Sequence, residues 1–250
     1  MKEVLLVTGS SGIAAATARL WGRENPVFVV GISGEECDAL ATDIHEAAFA
    51  TADVRDEQNL RAAVAACLER FGRIDALFNV AGISARSAGD GPLHECNPAA
   101  WDLAMDVNAK GAFLMCREIL GLWTKNAQAG AILNCGSVLA QHPQPDHFAT
   151  VAYAASKGAI EAMSRSAAAY YAHADIRINV LAAGLVRTPM SARAQTNPSI
   201  AEYITHKQPL TRGMLSPDDV AKTACFLLRR DSSPITGQVI TVDGGWTVSE

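Results

Sequence analysis

The stretch VLLVTGSSGIAAATARLW, residues 4–21, decides the fold. Val4 to Val7 is a short apolar run, rich in β-branched residues, of the kind that makes a buried strand. Thr8, Gly9, Ser10, Ser11 and Gly12 follow as a small-residue turn. From Ile13 the chain becomes Ala-rich, with Ile13, Thr17, Leu20 and Trp21 at helical spacing. Strand, glycine turn and helix in that order make the opening half of a dinucleotide-binding unit. The usual third glycine is absent, and the turn reads T-G-x-x-G-x-x-A, with Ala15 in its place. Gly9 then makes the tight turn and Gly12 allows close backbone approach to a pyrophosphate. The third position needs only a small side chain against the sheet, which alanine supplies. Ser11 and Ile13 open a helix whose N–H groups face the phosphates, so the loop is expected to bind.

The chain has 250 residues, 49% of them apolar, enough for a sizeable core. Its net charge of −5 and scattered Lys and Arg argue against nucleic acid or an anionic membrane as a standing partner. The six cysteines are far apart with no C-x-x-C, so neither a metal site nor a disulfide framework is expected. Buried, reduced thiols in a cytoplasmic protein fit better. The N-terminal apolar stretch ends at Thr8 and carries Glu3 at its head, unlike a signal peptide. No run approaches the roughly 20 apolar residues needed to cross a bilayer.

Strand and helix patterns alternate along the whole length. Strands are expected at 27–32, 48–52, 76–80, 131–135, 176–182 and 239–242, after the first. Helices are expected at 35–44, from the Asp56 cap to the Gly72 stop, from the Asn97-Pro98 start to Trp123, over 151–172, and from Ser216-Pro217 to Leu228. This alternation predicts an α/β fold of Rossmann-like, doubly wound form: a seven-stranded parallel sheet with helices on both faces. With no repeat or linker, residues 1–250 read as one domain. Thr188 to Thr211 is its least regular part, and 188–215 is expected to cover the substrate as a mobile flap.

In such a sheet, ligands bind at the carboxyl ends of the strands. The polar residues gather there: the glycine turn after strand one, Asp53-Val54 after strand three, and Asn79-Val80-Ala81-Gly82 after strand four. Ser137 follows strand five, and Gly184, Val186 and Thr188 follow strand six. Just beyond Ser137, Tyr153 and Lys157 stand four apart on the long helix and share a face. A free phenol is a poor base at neutral pH, and a nearby ammonium favours the phenolate. A lone Tyr-x-x-x-Lys is usually an ordinary amphipathic helix. Here it follows a serine at a strand end in a chain that opens with a glycine turn, and that reading recedes. The residues AQHPQPDHFATVA between Ser137 and Tyr153 include His142 and His147, which read as pocket rim rather than metal ligands.

Taken together, these motifs resemble the short-chain dehydrogenase/reductase family over essentially the whole length. TGSSGIA, Asp53-Val54, NVAG, the Asn108 of VNAKGAF, the Ser137 of NCGSV, YAASK, INVLAAGLVRTPM and VDGGW fall in family order. The resemblance implies a catalytic set of Asn108, Ser137, Tyr153 and Lys157. Tyr153 is the acid/base, and Lys157 holds the nicotinamide ribose and favours the phenolate. Ser137 orients the substrate oxygen, and Asn108 holds a water that links Lys157 to solvent. Asp53 and Val54 flank the adenine; Asn79, Ala81 and Gly82 line the cofactor's middle; Gly184, Val186 and Thr188 lie toward the carboxamide. Val80 and Ala183 depart from the family's NNAG and PG motifs, at positions that carry no reacting group.

The implied reaction is hydride transfer between NAD(P) and a small secondary alcohol or its ketone. Two other readings stay beside it: a cofactor-sensing regulator on the same fold, and an epimerase or dehydratase. Regulators of this fold usually lack the Tyr/Lys/Ser set, and epimerases carry a further substrate domain. Leu139, Phe148, Leu185, Met190 and Tyr203 are expected to wall an apolar pocket. An NAD-binding unit usually places an acid about 20 residues beyond the glycines, at the end of strand two. That place falls to Ser33, while Glu35 and Glu36 beside it would repel a 2′-phosphate and no nearby base would attract one. NAD is therefore expected ahead of NADP. The resemblance also implies a homotetramer, with a dimer as runner-up, by pairing of the two long helices, here through Ala112, Met115, Ile119 and Ala162, Ser166, Ala169.

Overall fold

A strand with no polar residue from Val4 to Val7 must be covered on both faces. The computed structural model, which describes residues 2–249, places it inside a seven-stranded sheet. Along the chain run β1 (Leu5–Thr8), α1 (Gly12–Trp21), β2 (Val27–Gly31), α2 (Gly34–Thr42), β3 (Ala47–Thr51), α3 (Glu57–Phe71), β4 (Ala76–Asn79) and α4 (Pro98–Ala104). A π-helical segment, Met105–Lys110, leads directly into α5 (Gly111–Lys125). Then come β5 (Gly130–Ser137), α6 (Pro145–Phe148), α7 (Val151–Tyr171), β6 (Ile176–Ala183), α8 (Ala192–Thr196), α9 (Pro198–Lys207), α10 (Pro217–Leu228) and β7 (Val239–Val242). The strands pair in the order β3-β2-β1-β4-β5-β6-β7, and every pairing is parallel.

Alternate residues of β1 feed two cores, as the period of a strand requires. Leu5 and Val7 join Ala14, Ala18 and Trp21 of α1, Leu40 of α2, and Val220 and Ala224 of α10. Val4 and Leu6 face Leu60 and Val64 of α3, Met115, Ile119 and Trp123 of α5, and Ala168 of α7. Local chemistry sets the helix ends. Asp56 accepts the N–H groups of Gln58 and Asn59 at 2.8 and 3.1 Å, a cap worth about 1 kcal/mol. Gly72 then ends α3 in the left-handed region at φ 76°. Ser216 and Asp219 cap α10 reciprocally, and the bond from Ser216 holds the Asp219 carboxyl below its ordinary range.

Two expectations are corrected. The segment 188–211 is not irregular: α8 and α9 lie in it, and it is anchored at its far end by Gln208, which is fully buried. Gln208 Oε1 accepts the Leu185 N–H at 2.6 Å, and its Nε2 donates to the Leu185 and Gly213 carbonyls. Pro189 and Pro198, which break the apolar period in the sequence, sit instead at helix starts, where a missing N–H costs nothing. The second correction concerns α5. Ala112, Met115 and Ile119 pack inside this chain, and the outward face is Phe113, Arg117 and Gly121. The apolar stripe of α5 covers its own sheet and is not free for a second copy. Ala162, Ser166 and Ala169 of α7 do face outward.

Candidate active site

Crossovers from β1 and β4 leave in opposite directions, which opens a crevice at the carboxyl ends of these neighbouring strands. Thr8 Oγ1 closes its floor by accepting the N–H groups of Val80 and Ala81 at 3.0 and 3.2 Å. Gly9 lies at φ 103°, and a β-carbon there would sit 3.6 Å from the Ala81 nitrogen. Gly12, at φ 53°, leaves room that a side chain would take from Thr188, whose methyl carbon lies 2.8 Å from that position. Glycine turn, NVAG segment and the start of the 188–211 segment are thus brought together. Ile13 and Ala15 turn into the core beside them. Ser11 is the N-cap of α1 in extended backbone, but its side chain makes no capping hydrogen bond. The first N–H groups of α1 therefore have no side-chain acceptor, and this bare helix end with its glycine cradle fits a pyrophosphate.

Farther along the crevice, Ser33 caps α2 by accepting the Glu36 N–H at 3.3 Å. That turn swings the Glu36 carboxylate over the glycine turn, where it accepts the Ser10 hydroxyl at 2.7 Å. Asp53 holds Arg55 through three side-chain bonds of 2.6–3.0 Å, and the guanidinium keeps the Asp53 carboxyl below the usual carboxylate range. Val54 is buried against the start of α5, where Gly111 leaves space for it.

Lys157 is the centre of the polar cluster. It is only 4% exposed, and its Nζ donates to the Cys135 carbonyl at 2.7 Å. The same nitrogen lies 5.7 Å from the centroid of the Tyr153 ring. Ser137 ends the same strand as Cys135; it is buried, and its Oγ accepts the Leu139 N–H at 3.2 Å. A β-carbon on Gly82 would come within 3.6 Å of Lys157 Nζ and 3.0 Å of Asn108 Oδ1, so the glycine is what lets these groups converge. Asn108 is 1% exposed in the π-helical segment. Its Oδ1 accepts the Ile83 N–H, and its Nδ2 donates to the Ile83 carbonyl and to Ser156 Oγ, at 2.8–3.0 Å. Asn79 points inward, where Nδ2 donates to Asn134 Oδ1 at 2.9 Å; Asn134 in turn donates to Ser164 of α7.

Gly184, Val186 and Thr188 carry β6 into the covering segment. A side chain at Gly184 would strike Gln208 and Asp243, and Val186 bridges to Leu215. Leu139, Phe148, Leu185 and Tyr203 pack together with Val138, Ile200 and Trp246. Met190 does not join them; it is 49% exposed, because the turn of Pro189–Ser191 directs it outward. The His147 ring lies 5.3 Å from that of Tyr203, and the His142 carbonyl accepts the Trp246 indole N–H. The six thiols are free, and burial pushes those of Cys67 and Cys116 up to about 12.

Two contributors escape sequence reading. Thr8 lies beside the glycine turn, but its partners are more than seventy positions away. Asp90 is 4% exposed, and its two oxygens accept the N–H groups of Ala152 and Tyr153 at 2.9 and 3.0 Å. It thereby caps the helix that presents Tyr153. An Asp-Gly pair in the β4–α4 loop reads only as a turn.

A family model described as enoyl-(acyl carrier protein) reductase matches residues 7–247. A cis-4-hydroxycyclohexanecarboxylate dehydrogenase from Sinomonas cyclohexanicum is 33% identical, over 98% of this chain and 97% of that one. The solved structure of a 3-ketoacyl-(acyl-carrier-protein) reductase from Brucella melitensis, complexed with NADH, superposes with a TM-score of 0.87 at 30% identity, covering 98% of both chains. A single-substitution variant of actinorhodin polyketide ketoreductase with NADPH gives 0.89 at 28% identity, over 99% and 98%. Nucleotide crevice and Tyr–Lys helix mark an α/β protein of dinucleotide-binding type. The chain belongs to the short-chain dehydrogenase/reductase family.

Proposed function

We propose that the protein is a nicotinamide-dependent oxidoreductase that interconverts a small secondary alcohol and its ketone. The observation that carries this reading is the buried Lys157, anchored on Cys135 beside Ser137 and facing the Tyr153 ring. The nicotinamide, when bound, supplies or accepts the hydride. Gly9, Gly12 and the main-chain N–H groups of Ser11 and Ile13 hold its pyrophosphate, and Asp53, Val54, Ala81, Gly82, Gly184, Val186, Thr188 and the main chain of Asn79 line its length. Ser137 Oγ orients the substrate oxygen, and Tyr153 gives or takes that oxygen's proton. Lys157 stabilises the phenolate by its charge and holds the ribose. Asn108 connects Lys157 to solvent through a water; its side chain retains one lone pair on Oδ1 for that purpose. A panel of secondary alcohols and ketones, followed by absorbance of reduced nicotinamide, tests the reading. Cofactor binding without turnover of any member would favour a cofactor sensor. Against an epimerase stands the segment 188–215, which holds two short helices rather than a second sheet.

NAD is the preferred cofactor on this reading. Glu36 supplies the negative charge at the glycine turn, and the Arg55 guanidinium is engaged by Asp53. We expect kcat/KM to favour NAD in the wild type, Ser33→Asp to widen that preference, and Glu36→Ala to narrow it. A strong wild-type preference for NADP overturns the assignment.

The working unit is a single catalytic domain in the cytoplasm, its thiols reduced. It assembles as a homotetramer, with a dimer as runner-up, through the exposed small residues of α7. Light scattering at micromolar concentration checks this, and a monomer mass refutes it.

A further inference from the structure

The loops that follow β4, β5 and β6 meet at the main-chain carbonyl oxygen of His147. Arg86, after β4, donates from Nη2 to that oxygen at 3.4 Å and to the Ala149 carbonyl at 3.2 Å. Arg193, on α8, donates from its own Nη2 to the same oxygen at 2.8 Å. Its guanidinium also lies 5.9 Å from the centroid of Phe148, a member of the apolar cluster that includes Leu139 and Leu185. Two cations from separate elements therefore close on one point, on the segment that leads into Tyr153. Arg86 is half-buried, and burial and the charge of Arg193 both hold it below the ordinary arginine range.

Among the described residues, no carboxylate forms an ion pair with either guanidinium, and the Nε and Nη1 groups of both donate to nothing. The acid whose charge reaches Arg86 is Asp90, and both its oxygens are already taken by the N–H groups of Ala152 and Tyr153. Asp146, beside His147, is exposed and pairs with neither. Fixing one carbonyl needs one N–H donor. Two like charges gathered for that purpose repel, and the repulsion reverses when an oxyanion lies between them, because guanidinium forks match a carboxylate.

We propose that Arg86 and Arg193 form an oxyanion-binding subsite at the mouth of the substrate cleft, and that the alcohol or ketone turned over at Tyr153 carries a carboxylate. This deepens the proposed oxidoreductase activity and rests on it. Secondary hydroxy acids of graded length, each paired with its methyl ester, test it with NAD. For the preferred length, the acid is expected to exceed its ester at least tenfold in kcat/KM. R193M, at an exposed position, and R86M are each expected to remove that advantage through KM, the acid losing at least tenfold more in kcat/KM than its ester. Equal use of acid and ester, or equal losses on both in the variants, overturns the subsite while the oxidoreductase reading stands. If no pair is turned over, the oxidoreductase reading is left to the general alcohol and ketone panel, and the subsite is read directly from thermal unfolding of the NADH-loaded protein. The free acids are expected to raise Tm in the wild type, with no rise in R193M or with the esters. Absence of a rise in the wild type, or an equal rise in R193M or with the esters, overturns it.

Discussion

Phenylalanine at position 153 is expected to lower turnover by about two to four orders of magnitude, the range that positioned acid–base catalysis supplies, and to leave NADH binding unchanged. The substitution removes one oxygen and keeps the ring. Tyr153 is fixed through its main chain, whose N–H donates to Asp90 at 3.0 Å and whose carbonyl accepts the Ser156 hydroxyl at 2.7 Å. Neither bond depends on the phenol. Lys157 keeps its anchor on Cys135 as well. Steady-state rates set beside fluorescence titration with NADH separate the two effects. Near-normal turnover in Tyr153→Phe would remove the mechanism.

Replacing Lys157 should damage both quantities at once. Alanine leaves the Cys135 carbonyl without its 2.7 Å donor in a buried place, at a stability cost of about 1–3 kcal/mol. Lys157→Met keeps most of the stem and removes only the charge, which separates packing from electrostatics. We expect Lys157→Met to lower kcat at least as far as Tyr153→Phe and to weaken NADH binding, because the ribose loses its donor. A Lys157→Met protein that bound NADH as tightly as the wild type would disprove the ribose contact.

Most of the fold was legible because its signals are local. The buried run Val4–Val7, the Asp56 cap with its Gly72 stop, and Ser216-Pro217 each declare an element within a few residues. The pair Tyr153 and Lys157 was legible for the same reason: helical spacing alone puts both on one face. What could not be read depends on the path of the chain. Asp90 meets Tyr153 across 63 positions, and Arg86 meets Ala149 across the same number. No pattern near Asp90 or Arg86 announces such a partner. The stripe Ala112, Met115 and Ile119 reads as apolar, but an apolar face does not say which neighbour covers it, and here its own sheet does. In the 188–211 segment, short helices punctuated by Pro189 and Pro198 are too brief for periodicity to register.

The π-helical segment from Met105 to Lys110 gives the long helix one residue more than an α-helical path would need. Deleting that surplus residue would make the path from Pro98 to Lys125 regular. It would leave the flanking turns close to their present directions but redirect the side chains within the segment, Asn108 among them. Asn108 could then no longer meet both Ile83 and Ser156 while Gly111 still supports Val54. Selection for thermal stability and selection for turnover therefore pull this helix in opposite directions. On the role proposed for Asn108, a lineage that lost the reaction would be free to shed the extra residue, and one that keeps the reaction would retain it.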